Sequence, residues 1–277
     1  MTQTGKLSFS VRASFPLAAL LALVSLAGVL LPSVYARETP SWTAQGVGQD
    51  WVDLVVVAPT LLFAGLYARR GSRVARLLLG GLYVYTLYSF VIYSLGMHFN
   101  QLFFLYCAVF GLSFFATAAT GIELAREDVR GWYPVRAPFK LSGILLIVLA
   151  VLFAALWLAE DLPAVLANKP PASLEEVGLL TNPVHVLDLS IVLPAFVLAG
   201  SALLRRMALG YVLAPIMLAF SVFMSLAIGG MMISLARQGL ATSMTLSFVF
   251  IGVAAACAVV LALLLRGVPS PRRTTRA

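Results

Sequence analysis

Long apolar runs, broken by short basic or polar connectors, set the pattern of this 277-residue chain. A helix needs about 20 apolar residues to cross the hydrocarbon core of a bilayer. Eight segments reach that length: 14–35, 51–68, 77–96, 102–122, 140–159, 186–204, 211–235 and 242–265. The runs are continuously apolar rather than alternating, which argues against membrane strands. The pattern predicts an all-α polytopic membrane protein with eight transmembrane helices.

Two of the segments share a finer pattern. DLVVVAPTLLFAGLYARR begins at Asp53 and DLSIVLPAFVLAGSALLRR at Asp188. Proline follows aspartate by six residues in both (Pro59, Pro194), and glycine follows six later (Gly65, Gly200). Each run ends in an arginine pair, Arg69-Arg70 or Arg205-Arg206, displaced by one residue. This register predicts a duplication into two four-helix halves, 1–135 and 136–277. Because four is even, the halves share one orientation, as parallel repeats about an axis along the membrane normal.

Composition agrees, with 61% hydrophobic and 11% charged residues and a mean hydropathy of +0.98, where soluble domains carry about 25% charged residues. The net charge of +8 would suggest an anionic partner in a soluble protein. Here its distribution explains it. With eight spans and both termini cytoplasmic, the inner segments hold Lys6, Arg12, Arg69, Arg70, Arg73, Arg76, Arg126, Arg130, Arg136, Lys140, Arg205, Arg206, Arg266, Arg272, Arg273 and Arg276. The outer loops hold only Arg37, Lys169 and Arg237. That asymmetry is the positive-inside signature of a multi-pass plasma (inner) membrane protein, and it removes the case for nucleic-acid binding. Lys6, Arg12, the first apolar run and Val34-Tyr35-Ala36 also fit a cleaved signal peptide; the duplication favours a retained helix. Cys107 and Cys257 lie in separate apolar runs and imply no disulfide framework.

The acids run the other way. Glu38, Asp50, Asp53, Glu160, Asp161, Glu175, Glu176 and Asp188 fall at the outer side, against Glu123, Glu127 and Asp128 inside. In the repeat register Asp50 corresponds to His185 and Asp53 to Asp188, and each pair is spaced i,i+3 on one helix face. Asn182-Pro183 reads as the N-cap and first turn of the second of these helices. That puts His185 and Asp188, and in the repeat register Asp53, near a helix N-terminus, which favours a carboxylate for purely structural reasons. The other histidine, His98, sits with Asn100 in the outer turn GMHFN (Gly96–Asn100). Ionisable groups at membrane depth are costly and commonly face a cavity or a partner. Tyr85, Tyr88 and Ser89 of the third span offer polar tips for one wall of such a cavity, with packing and an interfacial aromatic belt as the competing role.

Several chemistries stay open at this point. Asp50, Asp53, His98, His185 and Asp188 include nitrogen and oxygen donors suited to zinc or manganese, although their spacing matches no tight metal signature. Haem ligation by the two histidines requires them to face each other. A carboxylate beside a histidine also suits proton exchange with a ligand. No phosphate-binding, dinucleotide-binding or serine-nucleophile motif is present, and no cofactor is implied.

The second half carries EDLPAVL (Glu160–Leu166) at the end of an outward helix, then LDLSIVLPAF, a basic turn and a hairpin. In this it resembles the four-helix EXPERA-type membrane domain of sterol isomerases and the sigma-two receptor. The resemblance covers about 80 residues per half. It implies an apolar cavity open to lipid, with an acid pair at Asp161 and Asp188 that binds the cationic or polar end of a sterol-like ligand. The first half departs from it, since no acid precedes Glu38 at the end of its first helix.

The functional expectation is a protein that binds, and in one version isomerises, a membrane lipid or other hydrophobic molecule in a bundle cavity with an acidic and histidine rim. Asp188, Asp161 and His185 are the candidate catalytic residues; Asp53, Asp50, His98, Asn100 and Tyr88 are the candidate ligand-binding residues. The alternatives are a secondary transporter built on the parallel repeat and a metal-dependent membrane enzyme.

Overall fold

The structure, a computed structural model, describes residues 7–240, 242 and 244–269. Lys6, Arg272, Arg273 and Arg276, used above for orientation, lie outside the described residues. Eight helices are long and apolar enough to span a membrane: α1 (Phe9–Leu30), α2 (Pro40–Arg69), α3 (Arg73–Gly96), α4 (Phe103–Ala125), α5 (Phe139–Ala167), α6 (Pro183–Leu204), α7 (Ala208–Arg237) and α8 (Met244–Leu265). No strand occurs among the described residues. The chain is an all-α polytopic membrane protein.

Two helices outrun the apolar segments that announce them. The second span does not begin at residue 51 but at Pro40, with Thr39 as N-cap accepting from the Trp42 N–H at 3.2 Å. Its first turns, SWTAQGVGQD, are polar or small, so hydropathy passes over them. They are nonetheless buried at Ser41, Trp42, Ala44, Gln49 and Asp50, because they lie against protein rather than lipid. Asp50 and Asp53 are therefore mid-helix residues, and the helix-terminus rationale that suits Asp188 does not extend to them. The fifth span likewise continues past residue 159 to Ala167, ending on Asn168 in the left-handed conformation at φ 51°.

A π-helical turn interrupts α2 at Asp53–Val57 and another interrupts α6 at Asp188–Val192. Each has the same cause. Pro59 and Pro194 lack an N–H, and their rings clash with the carbonyl four residues back. The ladder widens instead, and the N–H of Ala58 reaches the Asp53 carbonyl, as that of Leu193 reaches Asp188. Such bulges are frequent at functional sites. Here each one starts on the aspartate.

The helices associate in matching sets. In the first half α1 packs on α2 and α4, α2 on α3, and α3 on α4; in the second α5 packs on α6 and α8, α6 on α7, and α7 on α8. The halves join through α7, which packs on α3 and on the first turns of α2; α3 and α7 are the two most enclosed spans. Tyr85 meets Phe223 with ring centroids 6.2 Å apart, and Tyr88 meets Phe220 at 5.6 Å. A shift of 135 residues exchanges the two pairs, so each helix offers the other the same surface. Gly81 makes the approach possible: a Cβ there would overlap the Ala219 methyl and stand 2.8 Å from the Ile216 carbonyl oxygen.

Charge separates the two ends of the bundle. At the basic end Arg76 bridges to Glu127 at 2.6 Å, Arg73 lies over Trp132, Arg206 over Phe139 at 4.2 Å and Arg130 over Tyr211. These contacts gather the α2–α3, α4–α5 and α6–α7 turns. At the acidic end Arg37 donates to the Phe99 carbonyl at 2.7 Å and His98 pairs with Glu38 at 2.9 Å. There a six-residue helix, Ala172–Val177, folds across the gap between α5 and α6, its Glu176 accepting from the Ser41 hydroxyl of α2 at 2.8 Å.

The contact at Gly81 can be tested directly. Overpacking a tight contact costs about 1–3 kcal/mol, so Gly81→Ala should lower the midpoint of thermal unfolding in detergent. Gly252→Ala, where an added Cβ meets nothing within 4 Å, should show no such loss.

Candidate functional site

A cavity of about 480 Å³ opens between the halves near the acidic end, within the range of small-molecule sites. Its walls are apolar and aromatic, from Leu149 and Phe153 of α5, Phe196 of α6, Phe220, Met224 and Ile228 of α7, and Phe250 of α8. Its polar end holds Gln45 and Gln49 of α2, Tyr88 of α3, Trp157 and Glu160 of α5, Glu176 of the short helix, and His185 and Asp188 of α6. Among the described residues no lysine or arginine lines it.

One chain of contacts organises this end. Asn182 caps α6 by accepting from the N–H groups of Val184 and His185 at 3.0 and 3.2 Å. The cap fixes the first turn and so aims His185. Its Nδ1 meets both carboxylate oxygens of Asp161, at 2.9 and 3.0 Å. Its ring stacks on Trp157, centroids 4.3 Å apart. The Trp157 indole N–H in turn donates to Asp188 Oδ2 at 2.8 Å, and Tyr88 directs its hydroxyl at the same carboxylate from α3. Glu160 accepts from the Ser173 hydroxyl.

The structure thus brings Asp161, His185, Asp188 and Tyr88 together. It gives them unequal roles. Asp188, His185 and Tyr88 line the cavity, whereas Asp161 lines an outer groove between α5 and α6 and reaches the cavity only through His185. Its neighbour Glu160 is the α5 acid that faces inward.

Asp50 and Asp53 form a second, sealed group. Asp50 accepts from the Tyr35 hydroxyl at 2.5 Å and the Tyr93 hydroxyl at 3.3 Å, and Asp53 from the Tyr85 hydroxyl at 2.6 Å. Both carboxylates are about 1% exposed, and neither lines the cavity. Gln49 lies between, contributing to the cavity wall while bonding Asp53. Burial, and then the adjacent Asp50, hold the Tyr35 phenol well above the ordinary tyrosine range, so it remains a donor. Tyr85 accordingly serves this sealed group, while Ser89 lines the cavity beside Tyr88.

His98 and Asn100 form a third group at the acidic end. His98 pairs with Glu38, Asn100 donates to the Val34 carbonyl at 3.2 Å, and both line a separate surface pocket with Ser33, Arg37 and Gln101. The five potential metal donors are therefore divided among three places. Among the described residues no three His, Cys, Asp or Glu side chains converge on a metal-binding point.

Trp42, Gln45, Gln49, Trp157 and Glu160 were not singled out by their sequence. Trp157 sits inside an apolar run with nothing to mark its N–H partner, and the two glutamines fall in the polar stretch that hides the start of α2. No protein-family model, curated protein or solved structure matches this chain.

The sealed group yields a stability test. Tyr85→Phe removes the phenol donor from Asp53 and leaves a buried acceptor short of a partner, at a cost of about 1–3 kcal/mol. The variant should melt earlier than wild type in detergent, whereas the exposed Tyr67→Phe should not.

Proposed function

We propose that the cavity holds a mostly apolar molecule, a membrane lipid or a hydrophobic small molecule, whose polar head donates hydrogen bonds to the carboxylates at the acidic end. The observation that carries this reading is the composition of the lining: a deep apolar wall ending in Asp188, Glu160 and Glu176, with no lysine or arginine among the described residues there. Carboxylates accept and do not donate, and buried acceptors demand donors. Ser173 supplies one to Glu160, Ser41 one to Glu176, and Trp157 and Tyr88 one each to Asp188. A ligand head with N–H or O–H groups supplies the rest.

Two further parts of the proposal concern context. The coincident π turns and matched helix contacts support a duplication about α3 and α7, in which the second half keeps the cavity and the first has closed it. The sequence asymmetry of basic residues supports a multi-pass plasma-membrane protein with cytoplasmic termini, which places the cavity in the outer part of the bilayer. The likeness to EXPERA-type domains belongs here too: Asp161 and Asp188 flank the same His185-Trp157 stack, with Glu160 added on the inner side.

Purification in mild detergent followed by native mass spectrometry and solvent extraction tests the reading. Wild-type protein should retain a near-equimolar apolar molecule. Asp188→Asn should cut retention at least tenfold, and Ile228→Trp should exclude the molecule by filling the cavity. Equal retention in all three proteins would refute it.

A further inference from the structure

We propose that the cavity takes a phenol, whose ring fills the space between the halves and whose hydroxyl donates to Asp188. This rests on the reading of the cavity as a ligand site and names the head group. The first half fills with its own side chains the place where the second half is hollow.

The 135-residue shift is reproduced in the backbone. It carries Asp53–Val57 onto Asp188–Val192, both π-helical, and carries Arg73, which opens α3, onto Ala208, which opens α7. Under the same shift Tyr85 falls on Phe220 and Tyr93 on Ile228. Tyr85 is the phenol that satisfies Asp53, the counterpart of Asp188, and Tyr93 one of two that satisfy Asp50, the counterpart of His185. Both are replaced by residues whose side chains have no donor. Both replacements, Phe220 and Ile228, line the cavity with Asp188. The acid at Asp188 persists, the phenol that its own half would offer is gone, and the space opens where it is missing.

A phenol ligand restores both. Its ring suits a wall built from Phe153, Phe196, Phe220 and Phe250, where edge and offset contacts favour a flat partner. Trp157 occupies Oδ2 of Asp188 and Tyr88 adds a second donor, and a carboxylate has about four lone-pair positions, so a ligand hydroxyl can join them. An ammonium would also satisfy the acid. The first half argues for the neutral donor, since the side chains that bond Asp50 and Asp53 there are phenols and an amide, with no cation.

The experiment uses the full chain in detergent and three probes that share one tail: 4-octylphenol, its methyl ether and 4-octylbenzylamine. Binding is read by quenching of tryptophan fluorescence. The phenol should bind about tenfold or more tightly than either relative, the effect of one good hydrogen bond to a charged acceptor. Phe220→Tyr, which gives Asp188 the hydroxyl that Tyr85 gives Asp53, should weaken the phenol about tenfold and leave the ether unchanged. Should that variant fail to fold, Asp188→Asn must still abolish the preference for phenol over ether. Tighter binding of the amine, or equal binding of phenol and ether, overturns the inference. If no probe binds while the protein still retains an extracted molecule, this inference fails and the cavity reading survives; loss of both refutes both.

Discussion

A carboxylate buried in a membrane helix with no lysine or arginine beside it must find donors, and the rest of this structure is arranged around that demand. Asp53 and Asp188 each stand roughly 25 Å along their helices from the arginine pairs, at 1.5 Å per residue, within helices long and apolar enough to span a membrane. Among the described residues neither has a lysine or arginine partner. The first half answers Asp53 with the phenol of Tyr85 and its neighbour Asp50 with those of Tyr35 and Tyr93, and closes around them. The second half answers with one indole N–H and a hydroxyl, and remains open.

The same comparison explains the shape of the bundle. Proline six residues beyond each aspartate forces a π turn, and the turn begins at the acid, so backbone and side chain are set together. The matched surfaces of α3 and α7, brought close at Gly81, then bring Tyr85 and Phe220 to equivalent places on facing helices. A single hydroxyl at one of these positions, and its absence at the other, separates a sealed polar core from a cavity wall.

Much of this was legible in the chain. Continuous apolar runs reveal membrane helices because lipid imposes that composition, and the aspartate, proline and glycine spacing pointed to the two helices that carry the acids. The start of α2 was hidden for the converse reason: a helix turned toward protein has no need to be apolar, and hydropathy cannot see it. The choice between Glu160 and Asp161 turns on about 100° of helix phase, which adjacent residues in a long helix do not disclose. His98 and His185 share an end of the bundle, but a common depth says nothing of lateral position, and they occupy separate groups. Trp157 carried no polar signature at all, since its one donor becomes visible only when Asp188 is placed against it.

The most direct test of a ligand-filled cavity is a density map of the wild-type chain in lipid nanodiscs, bound to a rigid antibody fragment for alignment. An elongated non-protein density should lie between Phe220 and Phe153, with its polar end within hydrogen-bond distance of Asp188. A cavity that holds only water, or one collapsed so that Ile228 and Trp157 are in contact, would contradict it.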